Sequence, residues 1–312
     1  MKIVLKLRRE DSIWQKYIKK LEKFGEVYII FENKIYENLV LFMKCDILIT
    51  TNLSIDLLNK MQNLKALFIF KSGFENIPVN ELKRRNIVFF NSNANSKNIA
   101  EHAIALALSL LHRINEFHSD LQNGIWYSDT KNYFWKSIGD LNVGILGYGS
   151  IGSEIYKMLS SMVKKIYIIN RGKKYPKGIK LVDELDELIN KCNLVFISLP
   201  LNDENVNLLC EEKLKMFKDK YIINISRAHI CDEYYLFKLL ENGYIKGFAS
   251  DVWYKEANKN DKKDRILPSK YDFHKLPNVL MSPHCATHEY MSHEKYISDI
   301  MKKCLNFLKN CK

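Results

Sequence analysis

No apolar run in the 312-residue chain is long enough to span a bilayer, so a helical membrane protein is not expected and no membrane partner is assigned. A secretory leader is missing too: Met1-Lys2-Ile3-Val4-Leu5-Lys6-Leu7 alternates like a strand and keeps its charges, which reads as a cytoplasmic protein. Cys-x-x-Cys pairs are absent, and the seven cysteines (Cys45, Cys192, Cys210, Cys231, Cys285, Cys304, Cys311) are scattered. That pattern offers neither a zinc site nor a disulfide framework, so no metal is expected. Helix-turn-helix, zinc-finger and RNA-binding aromatic signatures are wanting, as are repeats and low-complexity tracts. The net charge of +12 comes from lysines interleaved with acids, as in Lys19-Lys20-Leu21-Glu22-Lys23. It therefore reads as a solvated basic surface with no nucleic-acid partner, although such a surface also attracts anionic substrates and cofactors.

What is present centres on Val143-Gly144-Ile145-Leu146-Gly147-Tyr148-Gly149-Ser150-Ile151-Gly152. A short apolar run reads as a buried strand and ends in G-x-G-x-x-G. Helical apolar spacing follows at Ile155, Met158, Leu159 and Met162, and a second strand is read at Lys165–Asn170. In that strand–turn–helix setting Gly147 permits the tight turn, Gly149 lets backbone approach a pyrophosphate, and Gly152 lets helix and strand pack closely. The helix N-terminus adds unpaired N–H groups and partial positive charge. Dinucleotide binding is the expectation.

Strand-like and helix-like segments alternate almost throughout, the pattern of a mainly parallel α/β protein. Strands are read near 2–7, 26–31, 46–51, 66–71 and 87–91, with helices around 12–24, 37–44, 54–61 and 79–85. These make one small doubly wound domain. A long apolar helix is expected over 98–123. Strands near 142–146, 165–170, 194–198, 221–225, 247–251 and 279–282 then supply the six of a full dinucleotide-binding sheet. The last helix, near 291–309, has no place in that sheet and is assigned back to the first domain. The expected organisation is residues 1–97 plus 287–312 as a substrate domain and 98–286 as a dinucleotide-binding domain.

Open α/β sheets hold ligands at the carboxyl ends of their strands. Three such ends carry reactive side chains: Asn224-Ile225-Ser226-Arg227, Ser250-Asp251 leading to Glu256, and Ser282-Pro283-His284. Converging there, an Arg, a Glu and a His bind a carboxylate, orient an imidazole and move a proton. At the end of the second strand, NAD enzymes typically carry an acid for the ribose 2′-hydroxyl. This chain has Asn170-Arg171-Gly172-Lys173-Lys174 there. Asn170 does not repel a 2′-phosphate and Arg171 can pair with it, so NADP is favoured over NAD.

Over nearly its whole length the chain resembles the D-isomer-specific 2-hydroxyacid dehydrogenases. The resemblance is carried, besides the glycine turn, by Ile99-Ala100-Glu101-His102, Gly124-Ile125-Trp126, Arg227-Ala228-His229-Ile230-Cys231-Asp232-Glu233, Asp251-Val252-Trp253-Tyr254-Lys255-Glu256 and Pro283-His284. It implies a flavodoxin-like substrate domain beside a Rossmann domain. By it, Arg227 holds the substrate carboxylate and carbonyl, His284 is the acid/base, and Glu256 is the carboxylate partner of His284. It further implies a substrate loop at Lys71-Ser72-Gly73-Phe74, with Ser72 and Gly73 contacting substrate in a cleft between the domains. The expected cofactor contacts are Gly147, Gly149, Ser150, Ile151, Gly152, Asn170, Arg171, Leu199, Ser226 and Asp251.

The implied reaction is reduction of a small 2-oxo acid, such as glyoxylate or hydroxypyruvate, to its D-2-hydroxy acid. A phosphoglycerate or other D-2-hydroxyacid dehydrogenase lacking a regulatory domain is the alternative within the family. A non-catalytic dinucleotide sensor, as in related corepressors, is the alternative from another class. Formate dehydrogenases pair their His with Gln, and Glu256 argues against that branch. Departures from the family pattern are Ala228 for Gly, Ala257 for Pro, and Cys285-Ala286-Thr287-His288 in place of a Gly-rich continuation. His229 and His288 are further candidates for touching substrate. A homodimer is implied, and Phe134 and Trp135 sit where relatives have a dimer-contact loop that can reach the partner's active site.

Overall fold

The computed structural model describes residues 1–74, 76–126, 134–256 and 266–311. Ala257 and the charged stretch that follows it lie outside the described residues. The chain divides into two compact units, Met1–Asn95 with Glu289–Lys312, and Ser96–His288.

The first unit is built on β1 (Lys2–Leu7), β2 (Glu26–Phe31), β3 (Ile47–Thr50), β4 (Ala66–Ile69) and β5 (Val88–Asn91), all parallel, in the order β2-β1-β3-β4-β5. That is the flavodoxin-like order, whose switch point lies between β1 and β3. Two-residue alternation sorts each strand between two apolar layers. Ile3, Leu5 and Leu7 join Trp14, Tyr17 and the helix Ser292–Asn310 on one face. Val4 joins Phe42, Leu48, Leu57 and Leu67 on the other. The last helix belongs here because Ile297, Ile300, Met301, Cys304 and Leu308 recur at helical spacing and are buried together.

The second unit contains β6 (Asn142–Leu146), β7 (Lys165–Ile169), β8 (Ile179–Val182), β9 (Leu194–Ile197), β10 (Tyr221–Asn224), β11 (Gly247–Ser250) and β12 (Val279–Met281). All are parallel, in the order β12-β11-β10-β9-β6-β7-β8. Renumbered from β6, this is the dinucleotide-fold order 3-2-1-4-5-6 with one further strand, and its switch point lies between β6 and β9. Leu194 and Phe196 face the layer containing the helices Ser96–Leu111 and Ser150–Leu159. Val195 and Ile197 face the opposite layer with Leu188, Leu214, Leu236 and Leu240.

Two elements differ from the sequence reading. β8 is a seventh strand where six were expected: Lys180 and Leu181 are exposed and only Val182 is buried, so this short edge strand buries little of itself. The expected helix over 98–123 is two helices, Ser96–Leu111 and Ile114–Gln122. Buried positions stop at Leu111, and none of Ile114–Gln122 is buried. Arg113 turns the chain at the break with a left-handed φ of 54°. Among the described residues, no helix is long and apolar enough to cross a membrane.

Candidate active site

The glycine turn sits at the carboxyl end of β6, at the switch point. Gly147 has a φ of +103°, and a Cβ there would lie 2.8 Å from the Ser198 carbonyl oxygen. A Cβ on Gly152 would lie 2.1 Å from the Gly147 oxygen, so the helix start has room only for glycine. Gly149 is the opposite case: its Cβ would meet nothing within 4 Å, and the open side is where another backbone-sized group can approach. The Ser198 hydroxyl donates to the Gly147 carbonyl at 2.7 Å and fixes the turn. No side chain caps the helix Ser150–Leu159, whose first-turn N–H groups, beginning at Ser150 and Ile151, suit a diphosphate. These residues fit a dinucleotide.

At the end of β7, the Asn170 side-chain oxygen accepts from the Gly172 N–H at 3.0 Å, closing a short turn that leaves Arg171 exposed. The Arg171 N–H donates to the Tyr175 hydroxyl at 2.8 Å. At the ends of β9 and β10, the Ser226 hydroxyl donates to the Leu199 carbonyl, and the Ser226 N–H donates to Asn224 Oδ1 at 3.1 Å. Asn224 Nδ2 in turn donates to the Arg227 carbonyl at 3.1 Å. Asn224 therefore shapes the turn that presents Arg227.

Asp251, buried at the end of β11, organises the loop after β12. Its Oδ1 accepts from the Cys285 N–H at 2.9 Å and from the Ser282 hydroxyl, and its Oδ2 accepts from the Ala286 N–H at 2.9 Å. His102, on the helix Ser96–Leu111, reaches the same Ser282 hydroxyl at 2.9 Å. The Trp253 indole N–H donates to the Ser282 carbonyl at 2.9 Å. Burial by itself would push the Asp251 carboxyl up, but the bonds from His102, Ser282, Ala286 and Cys285 outweigh it and hold it at about 2. The carboxylate is thus charged at neutral pH and clamps the chain on both sides of His284.

His284 itself has a left-handed φ of 54°, an uncommon conformation for a residue with a Cβ. Its Nδ1 lies 2.8 and 2.9 Å from the two carboxylate oxygens of Glu256. The hydrogen bond it donates to Glu256 raises the imidazole above its ordinary value, against burial and the nearby Arg227 charge, which lower it. The same bond from His284 holds the Glu256 carboxyl down, with Arg227 lowering it further. Arg227 is therefore close enough to act electrostatically on both partners. Its guanidinium donates to the Ser226 carbonyl at 2.6 Å. With Nδ1 occupied, His284 keeps Nε2 for proton exchange with a ligand.

Arg227, Glu256 and His284 thus come together in the second unit, beside Asp251 and Ser226. Ser72 and Gly73 lie just beyond β4 in the first unit, where the Ser72 hydroxyl is 2.9 Å from the Tyr296 hydroxyl. His229 is exposed with its ring 5.5 Å from that of Tyr254, and Trp135 stacks on His112 at 4.3 Å. His102 and Ser282 are the functional neighbours that the sequence reading gave no role. Ile99-Ala100-Glu101-His102 was the available signal, but the side chain that His102 meets is 180 residues away.

Comparison with known proteins fits this geometry. Residues 104–286 match the model of the D-isomer specific 2-hydroxyacid dehydrogenase, NAD binding domain. The chain belongs to the D-isomer-specific 2-hydroxyacid dehydrogenases. As a member of that family it is an NAD(P)-dependent D-2-hydroxyacid dehydrogenase. It is 31% identical to a glyoxylate reductase of Thermofilum pendens over 248 residues, covering 77% of this chain and 70% of the relative. It is 27% identical to a D-3-phosphoglycerate dehydrogenase of Dictyostelium discoideum over 237 residues, covering 75% of this chain and 56% of that longer protein. Among solved structures, the PH0520 protein of Pyrococcus horikoshii superposes with a TM-score of 0.83 at 25% identity, covering 97% of this chain and 91% of that one. The two-sheet architecture of this dehydrogenase is thus the family's own.

Proposed function

We propose that this dehydrogenase reduces a small 2-oxo acid of the glyoxylate or hydroxypyruvate kind to its D-2-hydroxy acid, with NADPH as the favoured reductant. The observation that carries the reading is His284 Nδ1 bonded to the Glu256 carboxylate beside Arg227. In this reading Arg227 pairs with the substrate carboxylate and polarises its carbonyl, while Ser72 and Gly73 are substrate-contacting residues. Gly147, Gly149, Ser150, Ile151 and Gly152 hold the diphosphate, and Asn170 and Arg171 meet the adenosine ribose. Leu199, Ser226 and Asp251 would complete the cofactor contacts.

When bound, the reduced nicotinamide supplies a hydride to the carbonyl carbon. As the carbonyl π pair moves onto oxygen, alkoxide charge develops there and needs a cation and a proton. Arg227 supplies the first. His284 supplies the second from Nε2, because Glu256 stabilises the charged imidazolium through Nδ1. The reverse oxidation uses neutral His284 as the base.

NADPH is favoured because Asn170 stands where a carboxylate would repel a 2′-phosphate, and the exposed Arg171 beside it can pair with one. Phosphoglycerate oxidation is the second reading, supported by the likeness to the Dictyostelium enzyme. We further propose a cytoplasmic homodimer, with Phe134 and Trp135, both strongly exposed, at its contact.

The test is consumption of NADPH and NADH with glyoxylate, hydroxypyruvate, pyruvate and 3-phosphohydroxypyruvate. Turnover of glyoxylate or hydroxypyruvate, fastest with NADPH, is the expected result. A clear preference for the phosphorylated acid selects the second reading, and a preference for NADH removes the role given to Arg171. Cofactor binding with no turnover of any of them would mark a dinucleotide sensor. Sedimentation of Trp135→Ala against the unaltered chain checks the dimer.

A further inference from the structure

The first unit holds a polar anomaly that the dehydrogenase reaction does not use. β1 alternates Ile3, Leu5 and Leu7 into one apolar layer, and Val4 into the other. The next residue on the Val4 side is Lys6, only 3% exposed, at a position where the strand pattern calls for an aliphatic side chain. Burying an ammonium is costly unless acceptors surround it. Among the described residues, the Lys6 ammonium has one hydrogen-bond acceptor, Asn52 Oδ1. Asn52 Nδ2 donates to Glu32 at 3.2 Å, and Glu32 also faces Arg8 at 3.4 Å.

Lys6 lines a cavity of about 490 Å³. The cavity gathers the carboxyl end of β1, Glu32 after β2, and Asn52 after β3, which is the switch point of this sheet. Ile35, Leu39 and Leu57 give it apolar walls. The exposed Asp56 and Lys60 also line it, one charge of each sign. Glu32, already shared between Asn52 and Arg8, acts on Lys6 through space and makes no direct ion pair with it among the described residues. Burial lowers the Lys6 ammonium to about 8, with Glu32 the main opposing influence.

We propose that this cavity is a binding site for a small organic acid, whose oxyanion headgroup pairs with Lys6 while a short apolar body lies against Ile35, Leu39 and Leu57. An oxyanion supplies the acceptors that a single amide oxygen does not, and ion pairing offsets the cost of burying the ammonium. A carboxylate and a phosphate share that chemistry.

The test uses the full chain carrying Arg227→Ala, which removes the cation assigned to the substrate carboxylate. Calorimetric titration with hexanoate and with propyl phosphate reads the affinity. Binding of either supports the site, and the tighter of the two names the headgroup. Lys6→Met should weaken that binding at least tenfold. Ile35→Trp, which fills the cavity from its wall and leaves the lysine in place, should weaken it comparably and decides the matter if Lys6→Met does not fold. Absence of binding by both probes at millimolar concentration overturns the proposal. So does undiminished binding in Lys6→Met or in Ile35→Trp.

Discussion

The two units obey one architectural rule and equip their switch points in opposite ways. In the second unit the strands flanking the switch, β6 and β9, end in backbone: a glycine turn braced by Ser198, with a helix start beyond it. In the first unit the corresponding strands, β1 and β3, end in side chains: a buried lysine held by Asn52. Backbone N–H groups suit a large, extended anion such as a diphosphate, because many weak donors can follow its length. A single ammonium suits a compact headgroup. The chemistry of a parallel sheet is thus set by what stands at the switch, while the strand order only supplies the place.

The comparison breaks most sharply at the glycine turn. Gly152→Val puts a side chain where even a Cβ would lie 2.1 Å from the Gly147 oxygen. Reduced-nicotinamide affinity, followed by fluorescence, should fall roughly 100-fold or more, about 2.7 kcal/mol. Next in size is His284→Asn. Removing the proton donor should cut the rate of 2-oxo acid reduction by about 10³-fold while cofactor binding persists. A variant that kept its rate would reject His284 as the acid.

Glu256→Gln has a smaller and more specific signature. Reduction needs the imidazolium, and Glu256 raises the His284 pKa above its ordinary value. The unaltered enzyme should therefore be fully active below that raised pKa and lose activity as pH rises through it. In Glu256→Gln the fall should move to lower pH, with the rate at neutral pH down by roughly tenfold. An unmoved profile would separate the pH dependence from this pair. Arg171→Ala should lower the NADPH-to-NADH ratio of kcat/KM by about tenfold, or about 1.4 kcal/mol.

The smallest effect sharpens the contrast from the other unit. Replacing a buried charge by an apolar side chain of similar length is often neutral or stabilising. Lys6→Met should therefore raise the thermal midpoint by a few degrees, whereas Gly152→Val should lower it. A large loss of stability in Lys6→Met would mean that the lysine supports the fold of β1.

Much of this molecule was legible in the residues because its signals are local. Short strand-like segments marked eleven of the twelve strands among the described residues, and the last helix was assigned to the first unit because the second sheet had no place for it. β8 escaped because an exposed edge strand needs few buried residues. The helix break at Arg113 escaped because helical apolar spacing falters only gradually beyond Leu111. Arg227, Glu256 and His284 were recognisable as reactive side chains near strand ends. By contrast, nothing in the stretch Lys2–Leu7 distinguished Lys6 from any surface lysine.

The order of the residues by itself determined the period of each segment, the glycine turn and the family motifs, since each depends on neighbours within a few positions. Only the tertiary structure decided that His102 and Asp251 meet at Ser282, that Asp251 grips both sides of His284, and that Lys6 is buried against Asn52. Those contacts join positions far apart along the chain. Their strength comes from burial, which removes competing water and makes each paired charge and each hydrogen bond count.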